Sequence, residues 1–405
     1  GLKELTCFLE VLLEENSWSN RPQQASLDDS QPFAHKFDLG KDGALDLSHR
    51  QVIDLEFSPH MANILISGYA PKNASLVEKM ERLDKGSLLC VWDLNSPQGE
   101  PMYILSSACS VSKCMIGPRT PQVVVAGCEE GTLLVWDLRT EEPFSGNPIS
   151  PSYCTEAPGV GSPTAYHGAQ ICGLECLSRH DALNNSSFEF QFASLDEAGT
   201  ANIWTVLDHS VESEVDPGIF VGARLKLHHV DSTHVSAQRN EPHLEFGECT
   251  STARCFAFHP SDTSRIFVGT ASGSIVQLAR FGDTPNPKSF KLGGARFSAF
   301  SAQLTGLAVT SISFHPCLHC IFLVGYNSGT FALFEASSAI PLKVWEAATA
   351  PSPLSGSGFS AVSKVRWSTT CPSIFQVLDS SGRLAVWDLS QDITKPLVMD
   401  LVAGQ

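Results

Sequence analysis

The chain has 405 residues, 42% of them hydrophobic and 17% charged, with 27 Lys and Arg against 43 Asp and Glu and a net charge of -16. No apolar run approaches the roughly 18 residues a membrane-spanning helix needs, and the acid excess, without any Lys/Arg cluster, argues against nucleic acid or anionic lipid as a partner. Thirteen cysteines without regular spacing read as the reduced thiols of a cytosolic protein, and no secretory leader follows Gly1.

The first 50 residues hold three strand-like pieces, 5–13, 33–37 and 44–47, enough for most of one small sheet. Leu2, Leu5, Leu9, Leu12 and Leu13 also fit a helical stripe, and that alternative stays open. From residue 51 a repeat takes over. Its closing piece is a Gly or Ser, an apolar or β-branched stretch, and a bulky residue often followed by Asp-Leu. It occurs at Ser87–Leu94, Gly131–Leu138, Gly199–Trp204, Gly273–Leu278, Gly329–Phe334 and Gly382–Leu389. Its opening piece is an alternating strand ending in Phe-x-Pro, at Val52–Pro59, Cys255–Pro260 and Ile312–Pro316, with divergent versions at 111–116, 171–174 and 362–367. The repeat positions are thus Trp92, Asp93, Trp136, Asp137, Trp204, Trp387 and Asp388 at the closing strand, and Pro59, Pro260 and Pro316 after the opening one. A further strand that begins with proline follows three copies, at Pro101–Leu105, Pro341–Trp345 and Pro396–Leu401. Proline suits the start of an outermost strand, where no ladder donor is lost.

Strands of period two, recurring in fours with Gly at the turns, are the blades of a β-propeller. The expected fold is all-β: one domain of seven four-stranded blades, residues 1–50 completing the first and residues 51–405 forming the remaining six. The stretches 70–85, 140–170, 208–250 and 282–308 read as surface loops, partly mobile.

Candidate chemistry is sparse. Cys317 and Cys320, with His315 and His319 beside them, look like half of a zinc site, but His315 occupies the slot of His259 in Phe-His-Pro and no second ligand pair stands at matching spacing. Cys172 and Cys176 share one face of a strand and read as core. His228, His229 and His234 sit in an insertion and read as solvated. Gly356–Gly358 is a flexible stretch rather than a nucleophile elbow, and neither a phosphate loop nor a dinucleotide fingerprint occurs. The expectation is therefore a non-catalytic docking platform without cofactor or metal, its partner-contacting residues unassigned.

The pairs Trp92-Asp93, Trp136-Asp137 and Trp387-Asp388 make residues 50–402 similar to WD-repeat proteins. One departure stands out: the Gly-His dipeptide that opens many such repeats is missing from the first strands, so the His-Ser-Asp-Trp hydrogen-bonded tetrad of the family is not expected in full. Within that group the chain resembles the dynein intermediate chains, most of all the larger intermediate chain of dynein-2, the motor of retrograde intraflagellar transport. The stretches that carry the likeness are Lys85–Leu94, Val124–Arg139, Ile266–Ile275 and Val365–Phe375. The resemblance implies a subunit of a motor complex in the cytoplasm and cilium, associated with the microtubule cytoskeleton. Its propeller would grip the dynein heavy-chain tail, with a second intermediate chain and light chains bound through a segment outside this fragment. The competing readings are a scaffold or ligase substrate receptor in another cytosolic assembly, a metal-dependent propeller hydrolase and a chromatin reader.

Overall fold

The computed structural model describes residues 45, 47, 49–59, 61–72, 85–96, 100–118, 121–155, 166–177, 189–208, 224–235, 252–292, 307–346 and 360–401. The strand-like or helical pieces expected before residue 44, and with them a seventh blade, lie outside the described residues.

Six small sheets follow one another along the chain. The first is built from β1 (Val52–Phe57), β2 (Ile64–Tyr69), β3 (Ser87–Asp93) and β4 (Tyr103–Ser107). The second comprises β5 (Val111–Ile116), β6 (Val123–Cys128) and β7 (Leu133–Asp137), followed by β8 (Pro148–Ile149) and β9 (Tyr153–Cys154). Here the path departs from a simple meander, because β8 crosses back to pair in parallel with β4 as a fifth strand of the first sheet, and β9 then returns to the edge of the second. The third sheet is β10 (Ile171–Cys176), β11 (Phe190–Asp196), β12 (Thr200–Asp208) and β13 (Leu225–His234). These three lie in a compact unit of residues 36–239. A second unit, which includes residues 240–405, holds the other three. They are β14 (Ala253–His259), β15 (Asp262–Thr270), β16 (Ile275–Ala279) and β17 (Ser289–Phe290); β18 (Val309–Phe314), β19 (Ile321–Tyr326), β20 (Thr330–Glu335) and β21 (Lys343–Glu346); and β22 (Val362–Trp367), β23 (Ile374–Asp379), β24 (Arg383–Asp388) and β25 (Val398–Leu401). With no α-helix among the described residues, and with consecutive antiparallel strands a, b, c and d in each sheet, the fold is all-β and of the WD-repeat propeller type.

Local sequence explains the repetition. Every a-strand carries a register shift at its second residue, between Val52 and Asp54, Val111 and Lys113, Ile171 and Gly173, Ala253 and Cys255, Val309 and Ser311, and Val362 and Lys364. A bulge re-aims the side chains beside it, and three of these first residues meet a glycine in the b-strand of the preceding sheet. A Cβ on Gly127 would fall 2.5 Å from the side chain of Ile171, one on Gly269 2.5 Å from Val309, and one on Gly325 2.8 Å from Val362. Each unit is thus stacked by a β-branched side chain seated over bare backbone. The b–c turns need a left-handed residue, supplied by Gly131, Gly199, Gly273, Gly329 and Gly382 at φ of 85, 90, 76, 81 and 80°.

Large residues cover the faces of the sheets. Trp92, Trp136, Trp204 and Trp387 are at most 2% exposed. An aromatic side chain hides about 150–250 Å², which at about 25 cal/mol per Å² is worth on the order of 4–6 kcal/mol as an upper bound. In the second unit the closing residue of strand c stacks on its cross-strand partner, Phe334 on Phe322 at 5.5 Å and Trp387 on Phe375 at 5.9 Å.

Several stretches read as loops prove to be sheet. β8 and β9 lie inside 140–170, β13 inside 208–250 and β17 inside 282–308. These outer strands bury few residues and carry little apolar periodicity: β17 contributes the single buried Phe290. Of the strand piece expected at 44–47, the described Leu45 and Leu47 are not in a strand; they pack on the face of the first sheet that holds Trp92.

Candidate docking surface

The Trp positions share a slot but not an environment, and the b-strand decides which environment each receives. Trp92 stands opposite Leu65 and Trp204 opposite Phe192; two residues further along the b-strand come Ser67 and Ser194. Both indoles donate to that hydroxyl at 2.7 Å. Trp136 and Trp387 stand opposite Val124 and Phe375, and the corresponding residues are Ala126 and Val377. Trp136 turns instead to the carbonyl of Ile149 at 3.1 Å, while the Trp387 indole has no hydrogen-bond partner among the described residues.

The third sheet overturns the expectation that no repeat carries the full tetrad. Trp204 Nε1 donates to Ser194 Oγ, Ser194 Oγ lies 2.6 Å from His167 Nε2, and His167 Nδ1 lies 3.1 Å from Asp196 Oδ2. With an ionised carboxylate able only to accept, the consistent assignment has Nδ1–H donating to Asp196 and Nε2 accepting from Ser194. Burial pushes the Asp196 carboxyl up, but hydrogen bonds from His167 and the Thr200 N–H prevail and hold it below its ordinary range. All four residues are at most 2% exposed, and the serine oxygen is shared between an indole and an imidazole. The set therefore ties strands b and c to the loop before strand a and offers no nucleophile to a substrate. His167 precedes Gly168 instead of following a glycine, in a stretch taken as mobile loop, which hid it. The traceable signal was Ser194-x-Asp196 ahead of the Gly199 turn. The first sheet has a variant in which Tyr69 OH takes the hydrogen bond of Ser67 and Arg50 donates to the carbonyls of Ala70 and Gly86 at 2.9 and 2.8 Å.

The aspartates after Trp fold the c–d turns. Asp93 accepts from Asn63 Nδ2 and the Asn95 N–H, Asp137 from the N–H and guanidinium of Arg139, and Asp388 from the N–H and hydroxyl of Ser390. Arg139 also reaches Asp208, joining the second and third sheets. Pro59, Pro260 and Pro316 follow strands β1, β14 and β18 and have no N–H to extend the ladder.

His315 keeps both nitrogens occupied, Nδ1 accepting from the Cys317 and Leu318 N–H groups and Nε2 2.9 Å from the Pro372 carbonyl. That fixes the turn in which Cys317 and Cys320 sit, and no cluster of three His, Cys, Asp or Glu occurs among the described residues. His229 is not simply solvated: it lies on β13 against Tyr166 and Trp204, at ring distances of 4.9 and 5.2 Å, with Nε2 3.3 Å from Asn202 Oδ1.

Exposed apolar residues occur on β1 and just after it, at Val52, Leu55, Phe57 and Met61, and on the second unit. Among the described residues of the second unit the exposed large hydrophobic ones are Phe281, Ile340, Leu342, Ile393 and Leu397, at 68, 62, 41, 45 and 52%. All five fall in c–d connections, one after β16, two after β20 and two after β24. Because every sheet runs a to d in the same order, these connections lie at the same end of consecutive sheets. The connections after β20 and β24 also fold back onto the outer strand of the sheet before them. The Ala339 carbonyl accepts from the Lys291 N–H just past β17 at 3.2 Å, and the Ile393 carbonyl accepts from the indole of Trp345 in β21 at 2.7 Å. The result is a set of exposed apolar side chains on three consecutive c–d connections, two of them tied by hydrogen bonds to the neighbouring sheet.

No family model matches the chain. Among curated proteins it is 28% identical over 426 residues to cytoplasmic dynein 2 intermediate chain 1 of Homo sapiens, covering 98% of this chain and 38% of that protein. To its counterpart of Mus musculus it is 27% identical over 433 residues, covering 97% and 40%. A weaker match, 20% over 358 residues, covers 88% of the chain and 44% of the cytoplasmic dynein 1 intermediate chain of Drosophila melanogaster. The chain thus spans about two fifths of the length of the relatives it matches. Over nearly all of its own length it is similar to dynein intermediate chains, and more so to those of dynein 2 than to that of dynein 1.

Proposed function

We propose that the chain is the repeat domain of a dynein intermediate chain of the dynein 2 type. In this reading it is a non-catalytic subunit that docks on the heavy-chain tail and supports retrograde intraflagellar transport in the cilium. The observation that carries it is a likeness running through 98% of the chain rather than through the Trp-Asp positions alone, since the inserts between repeats share no common fold requirement. The exposed apolar side chains of the c–d connections support it physically: a surface built on paired strands loses little conformational freedom on association and concentrates binding in a few large side chains. In the same reading residues 1–50 complete the first blade, so that the six sheets and that segment form one seven-bladed domain. A second intermediate chain and light chains are assigned to sequence outside these 405 residues.

The test is coexpression of the chain with a dynein 2 heavy-chain tail, followed by size-exclusion chromatography at physiological salt. Co-elution at one-to-one stoichiometry is expected. Separate elution, with capture of a ubiquitin-ligase adaptor in its place, would favour the scaffold or substrate-receptor reading.

A further inference from the structure

The cysteines are scattered in sequence, but the fold brings two of them into contact. Cys109 lies in the connection between β4 and β5, and Cys128 is the last residue of β6, just before the turn that holds Gly131. Val111 stands opposite Cys128 in the β5–β6 ladder, and the Glu129 N–H donates to the Ser110 carbonyl at 2.9 Å. That pairing lays residues 109 and 110 beside the end of β6, where the Cys109 and Cys128 thiols are hydrogen-bonded to each other. Both are free thiols, Cys128 fully buried and Cys109 partly exposed. Cys128 belongs to the apolar cluster shared by the first two sheets, and Cys109 packs against it.

The backbone on each side is fixed. The Cys109 N–H donates to Ser107 Oγ at 3.1 Å, and that hydroxyl donates to the Cys109 carbonyl at 3.0 Å. On the other strand the Cys128 N–H donates to the Thr132 carbonyl at 2.9 Å, and the Cys128 carbonyl accepts from Gly131 at 3.1 Å. Two sulfur atoms already in contact have a short approach left to the roughly 2.05 Å of a disulfide bond. Burial above all, with Glu130 close by, pushes both thiols above their ordinary range. The thiolate is the nucleophile, so the pair stays reduced for long at neutral pH, and its exposure makes Cys109 the thiol that meets an oxidant first.

We propose that Cys109 and Cys128 form a modification site for peroxide, which converts them to an intramolecular disulfide tying the connection before β5 to the b–c turn of the second sheet. The Cys109 thiolate attacks one peroxide oxygen and the O–O bond breaks, leaving a sulfenic acid and a hydroxide that takes up the Cys109 proton as water. The Cys128 sulfur then attacks the Cys109 sulfur and the S–O bond breaks, the departing hydroxide leaving as a second water with the Cys128 proton. Both thiols are oxidised, and one hydrogen peroxide is reduced to two waters. The tied turn has a further neighbour: a Cβ on Gly131 would fall 2.9 Å from the His167 carbonyl and 3.0 Å from that of Ala169. The disulfide therefore acts on the turn that abuts the loop holding the His167 of the third sheet.

The test treats the reduced 405-residue chain with hydrogen peroxide at micromolar protein concentration, alkylates the remaining thiols and maps non-reduced peptides by mass spectrometry. A linked pair of peptides holding Cys109 and Cys128, lighter by two hydrogens and separated again by dithiothreitol, is expected. Its rate of formation should rise roughly tenfold per pH unit between about 7 and 9, as the thiolate fraction does. Exchange of the Glu129 amide should slow at least about tenfold in the oxidised chain. Cys109→Ser should abolish the linked pair while leaving the melting temperature of the reduced chain unchanged. In Cys128→Ala the Cys109 sulfenic acid should accumulate and be trapped by dimedone, and Cys317→Ser, which removes an exposed thiol of the second unit, should change nothing. Over-oxidation of Cys109 with Cys128 still reduced, linkage of either to another cysteine in preference, or an unreacted Cys109 under conditions that oxidise Cys317 would each overturn the proposal.

Discussion

Replacing Ser194 by alanine removes one oxygen and strands one buried group. The indole N–H of Trp204 donates to that hydroxyl at 2.7 Å, while His167 Nε2, 2.6 Å from it, keeps Asn202 Nδ2 at 3.2 Å, and Ser194 is fully buried. A buried polar group left without a partner costs about 1–3 kcal/mol, so Ser194→Ala should destabilise the third sheet by about 1–3 kcal/mol, more than the loss of a hydroxyl from a surface strand. Trp204→Phe removes the donor instead. Because each single change breaks the same bond, the double variant should fall short of the sum by about 1–2 kcal/mol. Trp387 serves as the internal control: it has the same slot and a similar burial, yet no hydrogen-bond partner among the described residues. Trp387→Phe should therefore cost about 1 kcal/mol less than Trp204→Phe. Native-state hydrogen exchange at the amides of Asn202–Val206 and Ala385–Trp387 reads each sheet separately, which a global melt of a two-unit chain does not. Additive effects of Ser194→Ala and Trp204→Phe, or equal costs for the two Trp→Phe changes, would refute the assignment of the tetrad.

Three further outcomes follow from the same geometry. Gly127→Ala places a methyl 2.5 Å from Ile171 and should cost about 1–3 kcal/mol by overpacking; adding Ile171→Ala should recover part of the loss, as followed by urea unfolding. Acid should destabilise both units over different ranges. Burial pushes His259 and His315 down to about 4 from an ordinary 6.5, so the unfolded chain takes up protons first and stability drops as pH falls from 6.5 toward 4. The Asp196 contribution is fully present above the ordinary carboxylate value and is lost only below it. His259→Gln/His315→Gln should flatten the upper part of the pH profile and leave the lower part unchanged in chemical melts. Asp208→Asn, which releases the outer end of the Arg139 bridge where the carboxylate is 39% exposed, should cost under about 1 kcal/mol because solvent screens the pair.

The a, b and c strands were legible because they carry an apolar period of two, a turn glycine and a closing aromatic, each of which satisfies a local physical demand. The d-strands of the second, third and fourth sheets were not. β9 and β17 are two residues long, and β13 reads Leu225, Leu227, His229, Asp231 on its more buried side, so half of its alternation is polar. The bulges left no mark either, since only pairing to the neighbouring strand reveals them. His167 escaped because its role is defined by Ser194 and Asp196, 27 and 29 residues away, and the dipeptide order sought was the reverse of the one present. The exposed side chains of the c–d connections were illegible for a different reason: Ile340 and Leu397 look in sequence like any apolar residue beside an outer strand, and only packing shows that nothing among the described residues covers them.

The most direct measurement is quantitative mass spectrometry of what the complete protein, tagged at its native locus, retains from ciliated cells. A dynein 2 heavy chain recovered in near-stoichiometric amount is the predicted result. Recovery of a different assembly with no dynein heavy chain would contradict the account.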